Sequence, residues 1–169
     1  MDKTKNQFTF WDIFILALAL IFTVLVIRVC LYKLVDIETM GENLLVLSIS
    51  VSLTILGFQY KALRKKKLFF AWCILSLVLL LMFFLVYKNS FNYFDKENAE
   101  LIKYATGLKV PFMLLLLFSI FRKLANKYYR TELLFPYRTF GIEENREYNL
   151  MDYSWLAASL ITVIAGHIY

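Results

Sequence analysis

Between Asp12 and Arg28 the chain carries no charged side chain, and its only polar one is Thr23. A run of that length constrains the fold more than any other feature. A helix crossing a bilayer core of about 30 Å needs about 20 mostly apolar residues, because each residue rises about 1.5 Å. The segment 10–32 meets that requirement. Segment 43–60 holds no charge, and segment 68–87 interrupts its apolar run only with Cys73 and Ser76.

Two further segments are shorter. From Val110 to Phe121 the chain is apolar, and it reaches a spanning length only as 104–121, with Lys109 and Pro111 included. A lysine near a helix end can direct its ammonium to the headgroups along an apolar stem. Proline near that end costs a single N–H or introduces a kink. A re-entrant segment is the alternative. Segment 153–169 sits at the short limit and carries Gly166 and His167 in its last turn.

Composition agrees with this pattern. Hydrophobic residues make up 60% and charged residues 19%, against about 45–50% and about 25% in ordinary globular chains. Disorder, collagen-like repeats and a disulfide-stapled secreted domain are excluded. Barrel strands alternate apolar and polar residues over about ten positions. Only Ser48, Ser50, Ser52 and Thr54 alternate here. The expected fold is an all-α integral membrane bundle of about five transmembrane helices, forming a single domain over 1–169.

Lysine and arginine concentrate in loops that remain cytoplasmic. The loop 61–67 has five basic residues and no acid, and 122–152 has six basic residues. With Lys3 and Lys5, one side holds thirteen basic residues and the other four, leaving Arg28 and Lys109 in or beside spans. This asymmetry predicts a cytoplasmic N-terminus, a C-terminus outside and an odd number of crossings. Trp11, Tyr32, Tyr60, Trp72, Tyr87, Tyr153 and Trp155 fall at predicted boundaries, where an aromatic belt is expected. The first segment is too long for a signal-peptide core and lacks a small-residue cleavage site, so it is expected to remain as an anchor. The net charge of +6 then reflects membrane orientation rather than a nucleic-acid partner.

Chemistry-bearing residues are few. Cys30 and Cys73 lie at depths differing by about 20 Å, beyond disulfide reach, and read as packing residues. The single histidine, His167, supplies neither a zinc nor a haem site alone and reads as solvated. Catalytic and phosphate-loop motifs are absent. No catalytic, metal-binding or cofactor-binding residue is expected. Asp12 and Asp152 stand at helix starts, where an acid meets the positive end of the helix dipole.

Two groups of candidates remain. The intramembrane polar residues are Arg28, Lys109, Ser48, Ser50, Ser52 and Thr54. The cations either reach outward to phosphates or face the bundle interior, and the hydroxyls either pack between helices or line a path. The candidate docking residues are Tyr128, Tyr129, Arg130, Tyr137, Arg138 and Phe140, an aromatic and basic set in the predicted cytoplasmic loop. The fourth helix is expected to continue into that loop.

These features predict a non-enzymatic protein that works by contact, as a subunit, an accessory or an immunity-type binding protein in a membrane assembly. The alternative is a homo-oligomeric channel or transporter lined by the second segment's hydroxyls. A lipid-modifying enzyme lacks any paired acid, base or metal cluster. Expected partners are membrane lipids with another membrane or cytoplasmic protein, or further copies of the chain. The expected location is a bacterial inner membrane.

Overall fold

A computed structural model of the chain describes residues 10–31, 37–58, 62–91, 96–133 and 148–168. Every regular element among them is helical. Helix α1 runs Phe10–Leu31, α2 runs Ile37–Leu53 and continues as a π-turn over Thr54–Phe58, and a 3₁₀ turn covers Ala62–Arg64. Then come α3 (Lys66–Phe91), α4 (Lys96–Ala105), a 3₁₀ stretch at Thr106–Lys109, α5 (Val110–Tyr128) and α6 (Leu150–Ile168). Four helical bodies are long and apolar enough to cross a membrane: Phe10–Arg28, Glu38–Gly57, Lys66–Lys88 and Glu100–Tyr128. Helix α6 is not among them. Its Asp152, Tyr153, Ser154 and His167 dilute an otherwise apolar 19 residues.

The expected segment 104–121 is the middle of one longer helical body running from α4 through α5, and it contains no reversal. Its internal change of pitch has a local cause. Pro111 has no N–H to give the carbonyl four residues back. The Val110 N–H donates to that Gly107 carbonyl instead, tightening the helix to 3₁₀ geometry and leaving no orphaned acceptor. Helix α5 runs to Tyr128, continuing beyond the expected span end at 121 into the loop as anticipated, and Tyr129 N–H closes it on Ala125 O at 2.9 Å.

The buried positions of each helix form one stripe. On α3 they are Leu68, Trp72, Leu75, Ser76 and Leu79; on α5 they include Leu114, Leu115, Phe118 and Ala125. This is the i, i+3, i+4 spacing of a packed face. The outward faces are equally apolar, with Phe70, Ile74, Leu77 and Leu81 exposed on α3. Helix α1 is the most peripheral, with 11% of its span buried, against 50% for the α4–α5 body. That body is the centre of the bundle, flanked by α2, α3 and α6.

Two aromatic assignments are corrected. Trp72 and Trp155 are fully buried against neighbouring helices rather than turned outward as belt residues would be. Trp155 stacks edgewise on Phe118 at 5.6 Å and lies 6.1 Å from Phe121, while Phe69 joins α3 to Phe118 at 6.2 Å. Each indole falls on its helix's inward stripe, and that phase decides its place over proximity to the helix end. Trp11, Tyr87 and Tyr153 are exposed, as expected.

Helix α6 begins with a reciprocal cap. Asp152 N–H donates to Asn149 Oδ1 at 3.1 Å, and Asn149 N–H donates to Asp152 Oδ2 at 2.9 Å. This satisfies two of the amide donors that a helix start leaves open. Replacing Asn149 by Ala is expected to cost about 1 kcal/mol of stability, and Trp155→Ala about 3 kcal/mol through the cavity it leaves. Unfolding in mixed micelles should rank the two variants in that order.

Candidate functional site

The long-range polar contacts among the described residues gather at two ends. At one end, which we term the basic end, Lys65 Nζ meets Asp12 Oδ2 at 2.6 Å, tying the start of α1 to the turn before α3. Arg122 clamps Glu132 through two parallel hydrogen bonds of 2.9 and 3.0 Å. This fork geometry fixes both groups more firmly than a single-point contact. Arg122 also donates to the Arg64 carbonyl at 3.3 Å, and Arg64 Nη2 donates to the Leu133 carbonyl at 2.9 Å. Asn149 Nδ2 reaches Thr131 Oγ1 at 3.4 Å. The short chain after α5 is therefore tied to both the α3 entry and the α6 cap.

That bracing fixes three of the candidate docking residues. Tyr128, Tyr129 and Arg130 are all exposed, and Lys127 Nζ stands 5.3 Å from the Tyr128 ring centroid. Arg130 adopts φ 52, the only positive φ at a non-glycine among the described residues. A left-handed residue just past a helix is a usual stop signal, but glycine fills that place without a Cβ penalty. Tyr137, Arg138 and Phe140 lie outside the described residues.

The opposite end is organised around the 3₁₀ stretch. Ser48 Oγ and His167 Nε2 lie 2.9 Å apart, His167 Nδ1 lies 2.7 Å from the Val163 carbonyl, and Ser48 Oγ also donates to Leu45 O at 2.9 Å. Gly107 makes room for this contact. A Cβ there would fall 2.5 Å from Ser48 Oγ and 2.8 Å from the His167 ring. Gly166 likewise lets α6 close on Val110 of α5. His167 is thus half-buried and bonded across helices, not solvated as expected. Ser48 and His167 stand 119 positions apart, and no local pattern announces the pair.

The remaining intramembrane candidates separate by helical phase. Ser48 and Ser52 are fully buried, whereas Ser50 and Thr54 are half-buried, with Thr54 Oγ1 donating to Ser50 O at 2.6 Å. Ser52 Oγ and Ser76 Oγ are buried without a hydrogen-bond partner among the described residues. Lys109 is half-buried with Nζ 5.8 Å from the Phe83 ring centroid on α3, a cation–π contact rather than a reach outward. Arg28 is exposed on α1. Cys73 is half-buried and free, and the Cys30 side chain lies outside the described residues.

Among the described residues, no three His, Cys, Asp or Glu side chains converge as a metal site. Comparison with known protein families, curated proteins and solved structures finds no match for this chain.

Ser48→Ala removes one interhelical hydrogen bond and should cost about 0.6–1.7 kcal/mol. Gly107→Val should cost more, because it separates α2 and α6 from the central helix. A double-mutant cycle of Ser48→Ala with His167→Leu checks the pairing. A coupling indistinguishable from zero would show that the contact contributes no stability.

Proposed function

We propose that this is a five-span, non-enzymatic protein of a bacterial inner membrane that acts by contact with another protein. It would serve as a subunit or accessory, or as an immunity-type binding protein. Two observations support the membrane arrangement. Helix α6 runs antiparallel along α5, with Trp155 against Phe118 and Phe121 and Gly166 against Val110. It therefore covers the same depth as a helix that is itself long enough to span. The basic residues expected on the cytoplasmic side also meet at one end, through Asp12–Lys65, Arg64–Leu133 and Arg122–Glu132.

The observation that carries the contact reading is the braced terminus of α5. Tyr128, Tyr129 and Arg130 are exposed on a segment fixed by four side-chain hydrogen bonds. Exposed tyrosines beside arginine, held rigid beforehand, suit protein recognition because little side-chain freedom remains to be lost on binding. Arg130 supports the same reading. A left-handed arginine costs about 1 kcal/mol relative to an unstrained conformation, and that cost has a motive if its guanidinium is needed there.

A channel formed by several copies is the second reading. The half-buried Ser50 and Thr54 of α2 are the observation in its favour, since they lie where a path between copies could reach them.

Gentle extraction from the native membrane followed by native mass spectrometry separates the two. A stoichiometric complex with a different polypeptide, lost in Tyr128→Ala/Tyr129→Ala while the fold persists, is the expected result. A closed homo-oligomer that conducts ions in proteoliposomes would overturn it. Arg130→Gly should leave stability unchanged or raise it by up to about 1 kcal/mol while weakening the complex. Reporters fused to the two ends of the chain should appear on opposite sides of the membrane, and same-side signals would remove the fifth span.

A further inference from the structure

The whole formal charge of +6 falls in three segments of the sequence. Segments 1–12, 61–67 and 122–152 together hold thirteen Lys and Arg against seven Asp and Glu, and the rest of the chain holds six of each. Among the described residues at the basic end, the acids are turned to specific groups. Asp12 binds Lys65, Glu132 binds Arg122, and Asp152 accepts the Asn149 N–H. Lys66, Lys67, Lys123 and Lys127 are all exposed. The first two open α3, and the other two lie one turn apart on α5. The Arg122 hydrogen bond to the Arg64 carbonyl holds the end of α5 beside the entry to α3, so both pairs belong to the same end of the bundle.

We infer that these four lysines form a binding surface for the phosphate of anionic phospholipid headgroups. Their depth favours lipid over an acidic protein. Phe70, one turn into α3 from Lys66, is 67% exposed, and Trp11, beside the Asp12–Lys65 pair, is 66% exposed. Large apolar side chains facing outward there place the lysine amines at the border between hydrocarbon and water. Ammonium groups on flexible stems are point charges without a fixed fork. They suit mobile phosphates better than a shaped, directional partner. Removing Lys66 and Lys67 or Lys123 and Lys127 should leave the braced groups intact, because none of them takes part in the Arg122–Glu132 or Lys65–Asp12 contacts. The inference rests on the membrane reading; Lys127, 5.3 Å from the Tyr128 ring, adjoins the proposed protein contact, whereas Lys66 and Lys67 open a different helix and test the lipid surface apart from it.

The test uses the full chain in mixed micelles containing phosphatidylglycerol or phosphatidylcholine, with retained lipid counted by native mass spectrometry. The wild type should retain phosphatidylglycerol preferentially, and 0.5 M sodium chloride, on the order of a 4 Å screening length, should abolish the preference. Each Lys→Gln change should weaken retention about fivefold. Lys66→Gln/Lys67→Gln and Lys123→Gln/Lys127→Gln should each lose at least tenfold, whereas Lys88→Gln/Lys103→Gln, on the neutral end, should change nothing. Equal retention of the two lipids by the wild type would overturn the proposal, as would an equal loss in the neutral-end variant. Preference for soluble polyglutamate over phosphatidylglycerol micelles would overturn it in favour of an acidic protein. The wild-type lipid and salt comparisons decide the matter even if a variant fails to fold.

Discussion

The faces this bundle turns outward are as apolar as the ones it buries, and that constraint governs how it can be held together. Where the surroundings are hydrocarbon, burying another leucine gains little, and close packing with interhelical hydrogen bonding must bring the helices together. Polar groups are correspondingly tied up locally. Thr23 bonds to Ala19 O, Ser159 to Trp155 O and Thr162 to Ala158 O, each four residues back at 2.7–2.8 Å. This is the pattern by which a hydroxyl avoids an unmet hydrogen bond in an apolar medium. Long-range polar contacts are then reserved for the two ends, where they decide which helix sits beside which.

The pitch change at Gly107 shows how one residue's covalent structure propagates through the packing. Pro111 removes a donor, Val110 answers the stranded carbonyl, and the resulting 3₁₀ stretch lies between α2 and α6. Glycine at 107 then admits Ser48 from one side and His167 from the other. Had the α-helix continued regularly, the side-chain phase on either side of the joint would differ. The buried faces of α4 (Leu101, Ala105) and α5 (Leu114, Leu115, Phe118) would then no longer serve the same pair of neighbours.

Helix positions were legible because spanning length is a one-dimensional signal. The apolar runs of 10–32 and 68–87 correspond to α1 and α3 within a few residues at each end. Inward faces were not, because an outward face of Phe70, Ile74 and Leu77 is as apolar as an inward one of Leu68, Leu75 and Leu79. The one usable mark of the interior was polarity. Ser48, Ser52, Ser76 and Ser159 are all fully buried, and the buried 48/52 row differs from the half-buried 50/54 row by helical phase alone. Trp72 and Trp155 were misplaced for the same reason, since nearness to a helix end says nothing about phase. The Ser48–His167 pair lay beyond any sequence reading, because it depends on the path of α6 back along α5.

The two ends therefore make different demands on function. At the neutral end His167 is taken up by Ser48 and the Val163 carbonyl and Lys109 lies by the Phe83 ring, while exposed charges of both signs, Glu38, Glu42 and Glu100 with Lys88 and Lys103, offset one another. At the basic end the internal contacts engage the acids and leave an excess of one sign exposed. The Arg122–Glu132 clamp and the Arg64–Leu133 hydrogen bond engage only enough charge to fix the chain's course. The lysines of α3 and α5 and the tyrosines after them stay exposed on that fixed frame. A fixed backbone carrying exposed lysines and aromatic rings is what the proposed contacts at this end would draw on, because little freedom would be left to lose on binding. On the proposed reading, the left-handed Arg130 and the exposed lysines belong to that surface, where a glycine would have served the turn alone.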